Sequence, residues 1–115
     1  MRADPANPVP LCAALADDTR WWILQRLGAA PASASELAEE LPVTRQAIAR
    51  HLGLLAQVGL VEPVRAGRQL RYRALGAPLS RLAHDLEVIG SSWDRRLQAL
   101  AAIAEQRAGY AEPVE

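Results

Sequence analysis

The fold prediction depends mainly on residues 33–73, SASELAEELPVTRQAIARHLGLLAQVGLVEPVRAGRQLRYR. They indicate a short acidic helix over 35–41, which Pro42 ends because proline has no N–H to donate. Thr44 can cap a second helix that runs from 45 to about 58. Two helices joined by so short a turn predict a helix-turn-helix.

The second helix of this pair has an apolar stripe and a polar side, and Gly59 ends it. The stripe advances in steps of three or four residues, as a buried helix face does: Ile48, Leu52, Leu55 and Val58. The other side is mostly polar: Thr44, Arg45, Gln46, Ala49 and Arg50. Such a helix suits insertion into the major groove of DNA.

A basic hairpin follows, with predicted strands over 60–64 and 69–75. Gly67 can adopt the positive φ that a tight hairpin turn requires. The second strand alternates apolar residues (Leu70, Tyr72, Ala74) with polar ones (Gln69, Arg71, Arg73). A cationic hairpin after a helix-turn-helix is typical of a wing that contacts phosphates or the minor groove.

Several stretches resemble the ArsR family of winged-helix repressors. Residues 15–24, LADDTRWWIL, are similar to the family's LADPTRRxIL opening. Residues 46–52, QAIARHL, and 59–61, GLV, resemble its helix-turn-helix, and 67–73 resemble its wing. The order and spacing of these pieces make the resemblance specific, and it covers about 11–75.

The resemblance implies a mainly α winged helix-turn-helix fold of about five helices plus a two-stranded wing. The chain is predicted to be a single domain with a flexible, proline-rich arm over 1–8, a core over 9–75, a C-terminal helix over 78–108 and a tail over 109–115. The resemblance implies that the C-terminal helix serves dimerisation. The implied function is repression of transcription by a homodimer. This homodimer would pair through its N-terminal and C-terminal helices and bind a palindrome in double-stranded DNA.

The first part of the chain predicts a helix over 9–16 and another over 19–27. Asp17 or Asp18 can cap the second of these helices. Residues 29–32 are predicted as a loop. Trp21 and Trp22 lie about 100° apart on a helix, so we expect one in the core and the other against a neighbouring helix or a partner subunit.

A long helix is predicted from about residue 79, with a kink or break at 90–92, where Gly-Ser-Ser lowers helix propensity. Its apolar residues recur in steps of three and four: Leu79, Leu82, Leu86, Ile89, Trp93, Leu97, Leu100 and Ile103 or Ala104. This seam is longer than so small a domain can cover. We expect it to pair across a dimer.

The composition limits the class of protein. The 115 residues suit one domain, and no apolar run approaches the ~20 residues of a membrane span. The N-terminus lacks an apolar signal region, and a lone cysteine fits a reducing cytoplasm. We expect Cys12 to be a small buried core thiol rather than one that pairs with its symmetry mate.

Charge is unevenly distributed although the net charge is zero. Residues 43–73 hold six arginines and one acid, a net charge of +5. Residues 1–42 carry −3 and residues 74–115 carry −2. The positive charge therefore coincides with the predicted recognition helix and wing, where phosphates would lie.

Eight residues are predicted to contact DNA: Thr44, Arg45, Gln46, Ala49, Arg50, His51, Arg68 and Arg71. Gln can read adenine and Arg can read guanine, each through two hydrogen bonds. Arg50 could equally contact phosphate alone. His51 follows the polar face beside a buried leucine, so it could instead bond to backbone or phosphate.

No metal, cofactor or enzymatic activity is predicted. Residues 36–40 lack the Cys-x-Cys of one family metal site, and no later histidine completes a set with His84, Asp85 and Glu87. The sequence shows no nucleophile and general base spaced as in a known catalytic set, and no glycine-rich loop of the kind that binds phosphate. Whether a small molecule or a protein acts as an effector is left open by the sequence. The alternative function is a winged helix that binds an acidic protein instead of DNA.

Overall fold

The computed structural model describes residues 7–110. The predicted arm over 1–8 and tail over 109–115 lie mostly outside this range. The described chain forms five helices and a three-stranded sheet: α1 (Val9–Leu15), α2 (Asp18–Ala29), β1 (Ala32–Ser33), α3 (Ala34–Glu40), α4 (Arg45–Gln57), β2 (Val61–Ala66), β3 (Gln69–Ala74) and α5 (Gly76–Tyr110). The mainly α winged helix-turn-helix is confirmed. Contacts divide the described chain into two units, residues 7–80 and 81–110.

The core of the first unit is the meeting point of α2, α3, α4 and the base of the sheet. Its buried members are mostly leucine and isoleucine: Ala14, Ile23, Leu24, Leu27, Ala32, Leu37, Ile48, Leu52, Leu55, Leu60 and Val61. Trp22 packs against this cluster, whereas Trp21 is half exposed, so the two tryptophans separate as expected. Burial of this apolar set supplies the main driving force for folding the unit.

Helix α2 begins at Asp18, and the Asp17 carboxylate caps it by accepting from the Arg20 N–H at 2.9 Å. The helix ends at Ala29, two residues beyond the predicted end at about residue 27, so Gly28 does not end it. The Arg26 guanidinium donates to the Ala30 carbonyl at 2.9 Å. A cation in the last turn of a helix stabilises it because it complements the helix dipole.

The predicted loop over 29–32 contains a strand at its end. Ala32 pairs with Tyr72 and Ser33 with Arg71, so β1 adds a third strand to the wing sheet, in the order β1-β3-β2. Both strand residues are buried. A two-residue strand has no periodicity to detect, and the sequence prediction missed it for that reason.

Helix α3 begins earlier than predicted because Ser33, not a later residue, caps it. The Ser33 hydroxyl accepts from the Glu36 N–H at 3.1 Å, and the Glu36 carboxylate accepts from the Ser33 N–H at 2.9 Å. This reciprocal pair is a capping box, which satisfies two N–H groups at the helix start. The same serine thus ends β1 and begins the helix-turn-helix.

Helix α4 has the predicted caps and the predicted buried stripe. The Thr44 hydroxyl accepts from the Ala47 N–H at 3.1 Å. Ile48, Leu52 and Leu55 are fully buried, and Gly59 follows the helix with a φ of +82°. Val58, the fourth predicted stripe residue, is only half buried and lies at the C-cap.

The wing is a hairpin of β2 and β3, closed by two residues between Ala66 and Gln69. Gly67 has a φ of +64°, and no non-glycine residue among the described ones has a positive φ. The turn therefore has the glycine-first pattern of type II′. Leu70, near the tip, is exposed, so the predicted apolar face is buried only towards the base.

Helix α5 is continuous from Gly76 to Tyr110, so of the kink or break predicted at 90–92 the break is wrong. One glycine costs a helix only about 1 kcal/mol relative to alanine, and the good helix formers further along the helix, such as 95–102 (RRLQALAA), offset this cost. The helix also starts before residue 79, because Pro78 lies in the first turn, where N–H groups have no helical partner. Within the second unit Leu82 is buried, but the large apolar side chains that follow it are exposed: Leu86, Val88, Ile89, Trp93, Leu97, Leu100 and Ile103.

The prediction that Cys12 is a buried core thiol is wrong, because Cys12 is exposed. Helix α1 has only seven residues and buries Ala14 instead.

Among the helices within 7–110, none has the combination of length and apolar character needed to cross a bilayer.

Candidate nucleic-acid interface

The N-terminal half of α4 presents its polar side to solvent. Thr44, Arg45, Gln46, Ala49 and Arg50 are all exposed. The buried stripe on the opposite side fixes this face outward, because the two sides of a helix cannot both pack on one core. The face combines two guanidinium groups, an amide and a methyl group, which are the groups that read base edges and thymine methyls.

The arginines of this face have no acidic partner in the described chain. Neither Arg45 nor Arg50 forms a salt bridge with any residue of the 7–110 segment. The same holds for Arg65 and Arg68, which are exposed near the tip of the wing. Four unpaired cations on the recognition helix and wing are thus available to phosphates or guanine.

Arg71, predicted to contact DNA, forms an ion pair within the protein. One guanidinium nitrogen, Nη2, lies 3.2 Å from both carboxylate oxygens of Glu36, at the start of α3. The side chain is 36% exposed, so part of it still faces solvent. This ion pair ties β3 to the helix-turn-helix. Arg73 is likewise paired, with Glu62, its cross-strand neighbour.

The Glu36 carboxylate is stabilised in its charged form. The Ser33 backbone N–H is the main cause that lowers its pKa below the ordinary 4.5, and hydrogen bonds from Arg71 and the Ser33 hydroxyl add to the effect. Partial desolvation opposes them. The carboxylate therefore stays ionised at neutral pH and keeps Arg71 at the base of the wing.

His51 is also directed into the protein. Its Nδ1 lies 3.2 Å from Nη1 of Arg20, on α2, and the histidine side chain is only 15% exposed. The Asp17 carboxylate is 4.0 Å from the same nitrogen. The pKa of Asp17 is lowered, chiefly by the hydrogen bond from the Arg20 backbone N–H and further by the charge of the Arg20 guanidinium. His51 is therefore not brought together with the exposed residues of α4.

Two partners escaped the sequence prediction. Glu36 pairs with Arg71, which lies 35 residues later in the chain. Arg20 contacts His51, which lies 31 residues later. The only sequence signal for Glu36 was its place three residues after Ser33 in a capping box. Nothing local indicated that Arg20 would meet His51.

The described residues offer little to a metal ion. No three His, Cys, Asp or Glu side chains in the 7–110 segment lie close enough together to hold one. His84 and Glu87 are exposed on α5, and Asp85 is partly buried.

An outward recognition helix with unpaired arginines, followed by a basic wing, defines a winged-helix DNA-binding protein. Residues 15–64 match the family model of a helix-turn-helix domain. HTH-type transcriptional regulator Rv2034 of Mycobacterium tuberculosis is 37% identical over 92 residues, which cover 80% of this chain and 83% of that relative. HTH-type transcriptional regulator CmtR of Mycobacterium bovis is 34% identical over 102 residues, covering 89% and 83% of the two chains.

A solved structure agrees with these relatives. The ArsR-like transcriptional regulator from Rhodococcus sp. RHA1 is 58% identical and superimposes with a TM-score of 0.77, covering 84% of this chain and 91% of its own. The chain belongs to the ArsR family of helix-turn-helix transcriptional regulators. Its relatives are regulators of transcription and not enzymes.

Proposed function

We propose that the protein is a cytoplasmic homodimeric repressor that binds a palindromic operator and blocks transcription without sensing a metal. One observation carries the DNA-binding part of this proposal. Arg45 and Arg50 on α4, and Arg65 and Arg68 on the wing, are exposed and have no acidic partner within residues 7–110. Unpaired arginines at these places favour an anionic ligand with the shape of a duplex.

The exposed residues divide into two roles. Arg45, Gln46 and Arg50 are proposed to read base edges, where each good bidentate pair discriminates by about 1–3 kcal/mol. Arg65 and Arg68 are proposed to contact phosphates, which contribute affinity but no sequence information. Thr44 caps α4 and its hydroxyl can still donate to a phosphate. Ala49 is proposed to contact a thymine methyl.

The dimer is proposed from the apolar face of α5. Six large apolar side chains on that helix are about half or more exposed, in steps of three and four, so they form one seam. A second copy of the chain would cover this seam, and two-fold symmetry would match two half-sites of a palindrome. The test is sedimentation of Leu97→Glu, which should be monomeric. Arg96→Glu, a neighbouring exposed change, serves as control and should leave the dimer intact. A monomeric wild type, or a dimeric Leu97→Glu, would contradict the proposal.

Metal independence is proposed from the ligand inventory. Zinc sites use three or four side chains, mostly Cys and His, whereas α5 has His84 and Glu87 with no later histidine to complete a set. Affinity for DNA should therefore be unchanged by added zinc and by a chelator. Release of DNA by zinc would assign a sensing role to His84 and its neighbours.

The function is tested by footprinting the purified protein on its own upstream DNA, with random DNA as competitor at a stated salt concentration. We expect protection of a two-fold-symmetric site, lost with Arg50→Ala. If the upstream DNA fails, a random-sequence library replaces it, since the operator can lie elsewhere. Failure to select any duplex would contradict DNA recognition. It would favour the alternative, a winged helix that binds an acidic protein, for which the half-exposed Trp21 offers a contact.

A further inference from the structure

His51 and Arg20 form a polar link between α4 and the two helices that precede the helix-turn-helix. Arg20 Nη1 lies 3.2 Å from His51 Nδ1. The same guanidinium donates from Nε to the Ala14 carbonyl at 2.7 Å and from Nη2 to the Ala13 carbonyl at 3.5 Å. These carbonyls belong to the last turn of α1, where carbonyls lack i+4 helical partners; the Ala13 carbonyl also accepts from the Ala16 N–H at 3.2 Å. Arg20 thus contacts three helices at once.

The chemistry of the link fixes the state of the histidine. A guanidinium has only donors, so His51 Nδ1 must accept. The ring that makes this bond is therefore neutral and carries its proton on Nε2. Asp17 lies 4.0 Å from both Arg20 Nη1 and His51 Nδ1, and it supports the guanidinium in this place.

The link supplies what the apolar core of α4 lacks. Burial of Ile48, Leu52 and Leu55 holds the helix against the protein, but apolar burial is non-directional. A hydrogen bond on one edge of the helix restricts its rotation about its own axis. Arg50 precedes His51 and points about 100° away from it. Holding His51 inward therefore aims Arg50 outward.

We propose that His51 is a positioning residue, which acts through Arg20 to set the rotation of the recognition helix and does not itself contact bases. The inference rests on the proposed function, because it assigns a role within the same DNA interface. DNA readout requires side chains held within about 0.5 Å and 10–20° of the productive geometry. Loss of the link should therefore reduce affinity for the cognate sequence more than affinity for unrelated DNA.

Two near-isosteric substitutions separate positioning from direct contact. His51→Asn places an amide oxygen where Nδ1 lies, so it retains the acceptor for Arg20. His51→Gln places an amide nitrogen where Nε2 lies, so it retains the donor that a direct DNA contact would use. His51→Phe retains neither. Binding is measured to a duplex that the wild type selects from a random library, and to a scrambled duplex of the same composition, below the unfolding temperature of each variant.

We expect His51→Asn to stay within about threefold of the wild type, and His51→Gln and His51→Phe to lose about tenfold or more on the selected duplex, the effect of a lost charge-assisted hydrogen bond. The scrambled duplex should change much less. The opposite order, with Gln retained and Asn lost, would overturn the proposal and assign His51 a contact through Nε2.

A double-mutant cycle adds an independent test. Arg20→Met retains much of the side-chain length but has no donor. If His51 acts through Arg20, then adding His51→Phe to Arg20→Met should reduce the affinity for the selected duplex little further than Arg20→Met does alone. Additive losses would overturn the proposal even with DNA binding intact. A wild-type protein that selects no duplex would overturn the proposed function itself, so the two failures are distinguishable.

Discussion

Arginines lie at both the tip and the base of the wing, but those at the tip are unpaired within residues 7–110 and those at the base form ion pairs. Arg65 and Arg68 at the tip are exposed and have no ion pair within residues 7–110. Arg71 and Arg73 at the base are paired with Glu36 and Glu62. Nothing in the spacing of four arginines within nine residues separates the two pairs. The number of positive charges in a stretch therefore does not give the number available to DNA.

The register of the sheet creates the difference. Glu62 lies opposite Arg73 across the hairpin, so this pair forms automatically once β2 and β3 align. Ser33 lies opposite Arg71, and the capping box at Ser33 brings Glu36 to the same place. The tip has no acidic cross-strand neighbour, since Arg65 faces Leu70.

The largest expected effect extends the comparison to α4. Arg50→Ala should weaken binding to the cognate duplex about tenfold or more, because it removes an unpaired cation from the recognition face. Arg73→Ala removes the same group from a paired site and should change the affinity about threefold or less. Fluorescence anisotropy at fixed salt measures both. Equal losses for the two variants would remove the distinction between paired and unpaired arginines.

A smaller effect is expected at the wing tip. Arg68→Ala should weaken binding to cognate and scrambled DNA alike and reduce the slope of log affinity against log salt by about one. A phosphate contact releases counterions but reads no sequence. Titrations at several salt concentrations give the slope. A loss confined to the cognate duplex would instead assign Arg68 a base contact.

The smallest effect concerns stability in acid. The pKa of Glu36 is lowered in the folded state, so the ionised carboxylate contributes stability above its ordinary pKa of 4.5. This contribution is lost as the pH falls through the lower, folded-state pKa. Glu36→Gln should therefore lower the unfolding temperature at pH 7, and the deficit relative to wild type should shrink below pH 4.5. Glu39→Gln is the control on the same helix. A deficit that does not depend on pH would contradict the role of the Glu36 charge.

Local chemistry made much of this fold predictable. Pro42, Thr44, Gly59 and Gly67 act within a few residues of themselves, and the structure places each cap or turn where its residue type requires it. The buried positions of α4 followed from helical period. Prediction failed where the cause was distant or weak, as with β1, whose two residues become a strand only by pairing with β3.

The candidate site was less predictable than the fold for the same reason. The exposed side of α4 follows from its apolar stripe, so Arg45, Gln46 and Arg50 could be placed from the sequence. The partners of Arg71 and His51 come from other helices, and only folding brings them together. The proposed positioning role of His51 and the ion pair of Arg71 both depend on these distant contacts.

The most direct test compares two wing variants that remove equal charge. Arg65→Ala/Arg68→Ala deletes the unpaired tip, and Arg71→Ala/Arg73→Ala deletes the paired base. The salt dependence of binding to the selected duplex is measured for both, at a temperature where both are folded. We expect the tip variant to lose about two units of salt slope and the base variant to remain near the wild-type slope. Equal loss of slope, or a greater loss from the base, would contradict the claim that unpaired arginines define the interface.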